Sequence, residues 1–326
     1  MEECLYIIGN GFDLKHGMST KYSDFKRWLF DNGRIDVIQE LQKAFPAQNG
    51  DAYILWSDFE KALGLYDINV VLNWSWEDLY LSEVSIGGQV FGAPDFLLNT
   101  RLPDILCEAF TKWAFSISIP NSPKEYTLDC CAIFLSFNYT DTLEILYGIP
   151  EENITHIHGR ASRKEKLVVG HNREIDPGDY WDDSLDMREN NESMQRLMDM
   201  NELRKSYWEI MERNSFFFQK LSGVRDVFVL GHSCAEVDVP YFSKVKDSVD
   251  SEAIWHFSPY GEEDRIRIIN LEADPKGLVS FLYRVSEGSD RVPLRSIHPP
   301  ELRSSGSRSR GRCRPRSAGA FRQLHS

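Results

Sequence analysis

The run Cys4-Leu5-Tyr6-Ile7-Ile8-Gly9-Asn10-Gly11-Phe12-Asp13-Leu14 limits the folds open to this chain more than any other stretch. A short apolar segment without charge is the mark of a strand buried on both faces, as in a parallel sheet. It runs directly into Gly-Asn-Gly, where two glycines permit a tight turn and let a ligand approach the backbone without meeting a Cβ. A helix follows, since Leu14 to Phe30 has helical character, with Ser19, Thr20 and Ser23-Asp24 available as caps or a break. Strand, glycine turn and helix N-terminus together suit a nucleotide phosphate, because free N–H groups and the helix dipole favour an anion. A short glycine pattern alone is more often a structural turn, so the reading depends on what the rest of the chain brings to the same place.

Several later segments repeat the design. Cys130 to Phe137 reads as a buried strand ending in Asn138, with Thr140 or Asp141 capping a short helix through Leu146-Tyr147. Asn153 to Arg160 alternates as a short strand, with His156 and His158 on one face and His158 next to Gly159. Leu167 to Asn172 reads as a strand ending at Gly170-His171. Val224 to Leu230 is the last central strand, followed by Gly231-His232-Ser233 and, after a short loop, Asp238. Ala253–Phe257 and Arg265–Leu271 resemble a closing pair of strands. Between the strands, Tyr22–Phe45 (interrupted near Asn32-Gly33), Ile54–Leu65, Arg101–Ile117 and a long stretch from Glu189 to Gln219 carry helical spacing. Asp58 and Glu60, flanking Phe59, read as surface and cap positions. The predicted architecture is α/β, a doubly wound and mostly parallel sheet of the Rossmann type with a helical insertion at about 20–120. In such a sheet the ligand crevice lies beyond the carboxyl ends of the strands, where Asn10, Asn138 and Asp238 would meet.

Charge and composition exclude some roles. The 326 residues are 42% hydrophobic and 12% aromatic, ample for a core, and 37 basic against 50 acidic residues give −13. Bulk nucleic-acid binding is therefore disfavoured. Between Arg303 and Ser326 there are seven arginines and no acidic residue. Residues 296–326 are accordingly expected to be a disordered Arg/Ser-rich tail, more in keeping with non-native sequence than with a basic arm, and 1–295 a single domain. The six cysteines form no CxxC pair, and Cys4, Cys130, Cys131 and Cys234 lie in apolar runs, the pattern of small buried side chains in a reducing cytoplasm. No apolar run approaches the ~20 residues of a membrane span. His156 and His158 lack a third and fourth ligand at recognisable spacing, so no metal is expected.

The motifs Ile7-Ile8-Gly9-Asn10-Gly11-Phe12-Asp13-Leu14, Phe137-Asn138-Tyr139-Thr140-Asp141-Thr142-Leu143-Glu144, His156-Ile157-His158-Gly159 and Leu230-Gly231-His232-Ser233 leading to Glu236-Val237-Asp238 and Pro240-Tyr241-Phe242 occur in that order. In this they resemble the AbiH family, associated with bacteriophage abortive infection, over Met1 to about Arg284. More distantly the same positions are similar to the sirtuin-type NAD-binding domain. That resemblance implies that Gly9, Asn10, Gly11 and Asp13 contact the phosphates and ribose of NAD. It implies that Asn138 and Asp141 line the nicotinamide pocket, that His158 is the catalytic base, and that Gly231, Ser233 and Asp238 serve the adenosine side. The chain departs from deacylating sirtuins in lacking a four-cysteine zinc module, which turns the expectation from deacylation to cleavage of the nicotinamide–ribose bond. Asn10 also stands where the first turn usually has a small residue. The expectation is a cytoplasmic antiphage effector that binds NAD or a related nucleotide and hydrolyses it, held silent at rest, for example by homo-oligomeric state. The alternative is a nucleotide sensor without turnover, and a nuclease is less favoured because no carboxylates cluster with metal-binding spacing.

Overall fold

The computed structural model describes residues 4–44, 56, 59–66, 84–86, 89–91 and 101–258. The predicted strand at Arg265–Leu271, Asp58, and the arginine-rich tail lie outside them. Five strands, β1 (Cys4–Ile8), β4 (Ile133–Ser136), β5 (Ile154–His156), β6 (Asp226–Leu230) and β7 (Ile254–Ser258), form one sheet in the order β5-β4-β1-β6-β7. Every pairing in it is parallel. A separate antiparallel pair, β2 (Val84–Ile86) and β3 (Gln89–Phe91), lies between β1 and β4 in the chain.

The uncharged β1 occupies the centre because both of its faces are buried. Leu5 and Ile7 pack with Ile133, Leu135, Val227 and Val229 beneath helices α8 (Ser215–Lys220) and α9 (Val239–Ser248). Tyr6 and Ile8 face the other way, onto Phe12, Phe134, Phe228 and Leu143. Tyr6 stacks on Phe134 at 5.1 Å and on Phe228 at 5.0 Å, and Phe228 stacks on His256 at 4.5 Å. This ring ladder crosses four strands. A one-residue slip would put each ring on the opposite face, so the ladder specifies register.

From β1 the chain passes to β4 and β5 on one side, then crosses to β6 and β7 on the other. β1 and β6 are thus neighbours whose connections leave in opposite directions, and the crevice beyond their carboxyl ends is the topological switch point.

Helices α2 (Tyr22–Asp31), α3 (Ile35–Ala44), α4 (Phe59–Leu63) and α5 (Leu102–Ser116) fall between β1 and β4, with the predicted interruption at Asn32-Gly33. They build a core of their own around Phe25, Phe59, Phe110 and Trp113. That core is completed by residues far along the chain, Leu167, Val169, Leu197, Met200 and Leu203, so the insertion shares its interior with α6 (Met187–Glu202).

Three sequence expectations are corrected. The stretch Glu189–Gln219 is not one helix but α6, α7 (Tyr207–Arg213) and α8, interrupted at Leu203–Ser206. The segment Leu167–Asn172 is not a sheet strand. Its backbone instead clasps the interruption: His171 N–H donates to Leu203 O and Lys205 N–H to His171 O, both at 2.9 Å. A Cβ at Gly170 would lie 1.8 Å from Leu203 O, so only glycine fits there. Cys130 and Cys131 are also exposed, since β4 begins only at Ile133 and the Asp129 side chain turns the chain before it.

Candidate functional site

The floor of the crevice is made of two glycine turns locked together. Gly9 N–H donates to Leu230 O at 3.0 Å and Gly11 N–H to Gly231 O at 2.7 Å. A Cβ on Gly9 would lie 2.5 Å from His232 Cα, and one on Gly231, whose φ is +63°, would lie 2.2 Å from Phe12 N. Close approach of backbones is therefore the first reason for glycine at both positions. The lock also consumes donors expected to face an anion: Gly11 N–H goes to Gly231 and Phe12 N–H to Gly9 O. Helix α1 (Asn10–Lys15) is only six residues long.

Above this floor is a cavity of about 770 Å³. Its walls come from the α/β core (Asn138, His158, His232, Asp238) and from the insertion (Tyr22, Glu60, Phe110, Trp113), with Lys21 and Lys26 also lining it. Asp13 is 1% exposed; one carboxylate oxygen accepts from Thr140 Oγ1 at 2.5 Å, and Oδ1 is buried with no hydrogen-bond partner. Burial pushes its carboxyl up from the usual range, against the lowering effect of Thr140, Thr142 and Asn138.

A second polar group surrounds Asp238. Its Oδ1 accepts from Lys205 Nζ at 2.9 Å, and the same ammonium donates to Glu60 Oε2 at 3.1 Å. The Lys205 side chain is wholly buried. A lysine in such a place needs partners on the spot, since an uncompensated buried charge costs several kcal/mol. His158 Nε2 is 3.7 Å from Asp238 Oδ1, and His232 Nε2 is 3.6 Å from Oδ2. Cys234 N–H donates to His232 Nδ1 at 2.9 Å, so the proton of the neutral imidazole is on Nε2, facing Asp238. Burial, with Lys205 adding to it, pushes His158 well below the ordinary histidine range. Burial likewise holds His232 down to about 4. Both rings are neutral at pH 7. His158 Nε2 has no hydrogen-bond partner.

Of the residues singled out in the sequence, Gly9, Asn10, Gly11, Asp13, Asn138, His158, Gly231, Ser233 and Asp238 all line this one cavity. Asn10 Nδ2 donates to Thr20 O at 2.9 Å and Asn138 Nδ2 to Gly9 O at 3.1 Å, so each amide also ties its turn in place. Asp238 stands at the N-cap position of α9 without capping it, because Lys205 holds its carboxylate. Asp141 is the exception. It is absent from the cavity lining and is held by the Arg160 guanidinium, which also bonds Glu144 at 3.3 Å and Glu151 at 2.8 Å. The expected His156/His158 pairing also dissolves. β5 ends at His156, whose Nε2 meets Glu144 Oε1 at 3.0 Å, while His158 continues into the cavity. Asp141, Glu144 and His156 do bring ligand atoms within 4.8 Å of one another, but Arg160 already neutralises both carboxylates.

Lys205, Glu60 and His232 were missed as site residues. Glu60, expected at the surface, has a side chain only 12% exposed, since Phe59 beside it anchors α4 in the insertion core. For Lys205 the available signal was a charged residue among the apolar positions Leu203 and Tyr207 of an otherwise continuous helical pattern.

The fold and the cavity define a parallel α/β protein with a polar crevice at the switch point of its sheet, partly walled by an insertion. The family model of bacteriophage abortive infection AbiH matches residues 5–259, and the chain belongs to that family. This points to phage abortive infection as its setting. No curated protein and no solved structure matches the chain. Among the described residues no helix is long and apolar enough to cross a membrane.

Proposed function

We propose that the protein is an abortive-infection effector whose crevice binds NAD or a related nucleotide and hydrolyses the bond between nicotinamide and ribose. The observation that carries this reading is His158, a buried, neutral imidazole lining the cavity, whose Nε2 has no protein partner. A buried polar atom left without a partner costs about 1–3 kcal/mol unless a ligand or water completes it. The neutral ring is in the state a general base requires. In the reaction a water oxygen bonds to the anomeric carbon and passes a proton to His158. The glycosidic bond breaks with its electron pair going to the pyridinium nitrogen, which releases neutral nicotinamide.

The phosphates are assigned to the side of the cavity lined by Lys21, Ser23 and Lys26, at the start of α2. The first turn of α1 has its Gly11 and Phe12 amides engaged, which argues against placing them there. Asp13 and Thr140 remain for a ribose hydroxyl.

One observation favours the alternative of a nucleotide sensor without turnover. Asn138, expected to orient the attacking water, has its amide donor committed to Gly9 O. Incubating purified protein with NAD and separating the products decides between the two. Nicotinamide and ADP-ribose from the wild type but not from His158→Ala support hydrolysis, and binding without products supports the sensor. Failure of any nucleotide to bind would refute both. In cells, unchanged NAD during a protective response to phage would refute hydrolysis.

A further inference from the structure

Glu60 and Asp238 line the same cavity and share a single ammonium, at 3.1 and 2.9 Å from Lys205 Nζ. The nearby His158 and His232 are neutral. Two carboxylates, one ammonium and two neutral rings leave this buried wall one positive charge short. Water is a poor remedy at a largely buried site, so the deficit is met by a proton or by a cationic group of a ligand. The same cavity has aromatic walls, with Tyr22, Phe110, Trp113 and Tyr139. Ring faces attract cations and, unlike further carboxylates, do so without adding charge. The unpartnered Nε2 of His158, 3.7 Å from Asp238, independently marks this end of the cavity as a place where a ligand atom belongs.

We propose that Glu60, delivered by the helical insertion, makes the crevice selective for a nucleotide with a cationic base, so that the oxidised dinucleotide NAD⁺ is taken and its reduced form NADH rejected. The inference rests on the nucleotide reading above and adds to it a residue and a direction of selectivity. The two dinucleotides have nearly the same shape and differ at the base by one positive charge. A pocket chosen by shape alone would not separate them; a charge-deficient one does.

The proton and the cation compete for one place, which gives the inference a second signature. Asp238 is approached by Lys205 and by both imidazoles, so negative charge settles there and the exchangeable proton falls to Glu60. Burial raises Glu60 to about 7, with Lys205 lowering and Asp238 raising it. The other groups facing it are the Tyr139, Tyr207 and Tyr241 phenols and the Gly170 amide, none of which changes charge near neutrality. Binding of the cationic base at pH 7 therefore expels about half a proton per site, since Glu60 is about half protonated there, and NADH expels none.

Titration calorimetry on the full chain tests this with NADH and with carbocyclic NAD⁺, in which the ribose ring oxygen is replaced by carbon so that cleavage cannot interfere. The expected result is binding of the oxidised form about tenfold or more tighter than NADH, or about 1.4 kcal/mol per tenfold. Measurement in buffers of different ionisation enthalpy should show proton release only for the oxidised form. Glu60→Gln should abolish the proton release and most of the preference, with circular dichroism confirming its fold. Should that variant fail to fold, the wild-type comparison decides alone. Equal affinity of wild type for both forms, without proton release, overturns this inference and leaves the nucleotide reading intact. Binding of neither form overturns both.

Discussion

Replacing Glu60 by glutamine should change how stability depends on pH, and the size of the effect follows from the shared ammonium. In the unfolded chain this carboxyl titrates near 4.5, and in the fold burial raises it to about 7. Between those values the folded state holds a proton that the unfolded state lacks. The contribution of Glu60 to stability is thus fully present below pH 4.5 and is lost as pH rises through 7. The slope approaches ~1.36 kcal/mol per unit between the two values and falls to half of that at pH 7, so the wild type should lose about 1.5 kcal/mol through this group between pH 5.5 and 7. Other groups act over the same range. Asp13, raised by burial, adds to the loss, while His158 and His232, held down by burial, work in the opposite direction. Urea unfolding of wild type and Glu60→Gln at matched pH values removes these by difference. The variant should gain on the wild type by about 1.5 kcal/mol from pH 5.5 to 7, an appreciable share of the 5–15 kcal/mol typical of a folded domain. A difference constant to within about 0.5 kcal/mol, the scatter of an unremarkable surface substitution, would show that Glu60 does not carry the proton.

Lys205→Met leaves Glu60 and Asp238 buried without their ammonium, and should cost about 3–5 kcal/mol at pH 8 by urea unfolding. The cost should shrink at pH 5.5, where Glu60 is protonated. Gly231→Ala places a Cβ 2.2 Å from Phe12 N at a left-handed φ, and should lower the melting temperature sharply or abolish soluble expression, whereas Gly223→Ala, with open space around it, should do neither. Asp141→Asn alters a residue outside the cavity, so nucleotide affinity measured by calorimetry should stay within about twofold of wild type, while the loss of charge facing Arg160 lowers stability by roughly 1 kcal/mol. His158→Ala should abolish nicotinamide release, and because it removes a buried ring packed edge-on against Phe137 and Tyr241 it should also cost about 2–5 kcal/mol by urea unfolding.

The parts of this structure that were legible in the sequence are those governed by local pattern. Leu5 to Ile8 had to be a central strand because neither face carries a polar residue, and the turns at Gly9, Asn138, His158 and Gly231 follow strands wherever the sheet supplies them. The illegible parts depend on contacts distant in the chain. Leu167–Asn172 has strand composition, but its backbone partners are Leu203 and Lys205, and no local signal distinguishes such a clasp from a sheet edge. Asp141 and Asp238 look alike in the sequence, each a short step beyond a strand. They part only because Arg160 captures one and Lys205 the other. Glu60 on its own helix is an ordinary amphipathic-face residue. Only a lysine 145 positions later makes it part of the site.

The distribution of charge along the crevice gives these separate residues a common sense. Lys21 and Lys26 line the cavity from the start of α2, and Glu60 and Asp238 line it around the Lys205 ammonium. A dinucleotide carries two negative phosphates in its middle and, when oxidised, one positive base at its end. An elongated ligand with that polarity is favoured in one orientation, and the reversed pose would set phosphates against two buried carboxylates. Discrimination of this kind comes mostly from the cost of the wrong arrangement. It also explains why the core alone would not suffice. The α/β sheet supplies Asn138, His158, His232 and Asp238, but both lysines at the start of α2 and the second carboxylate at Glu60 come from the insertion. Lys205 is one of the residues that tie the insertion to the core, beside Asn10 on Thr20 O, so an ammonium that helps to join the two parts of the molecule also sets the charge of the site.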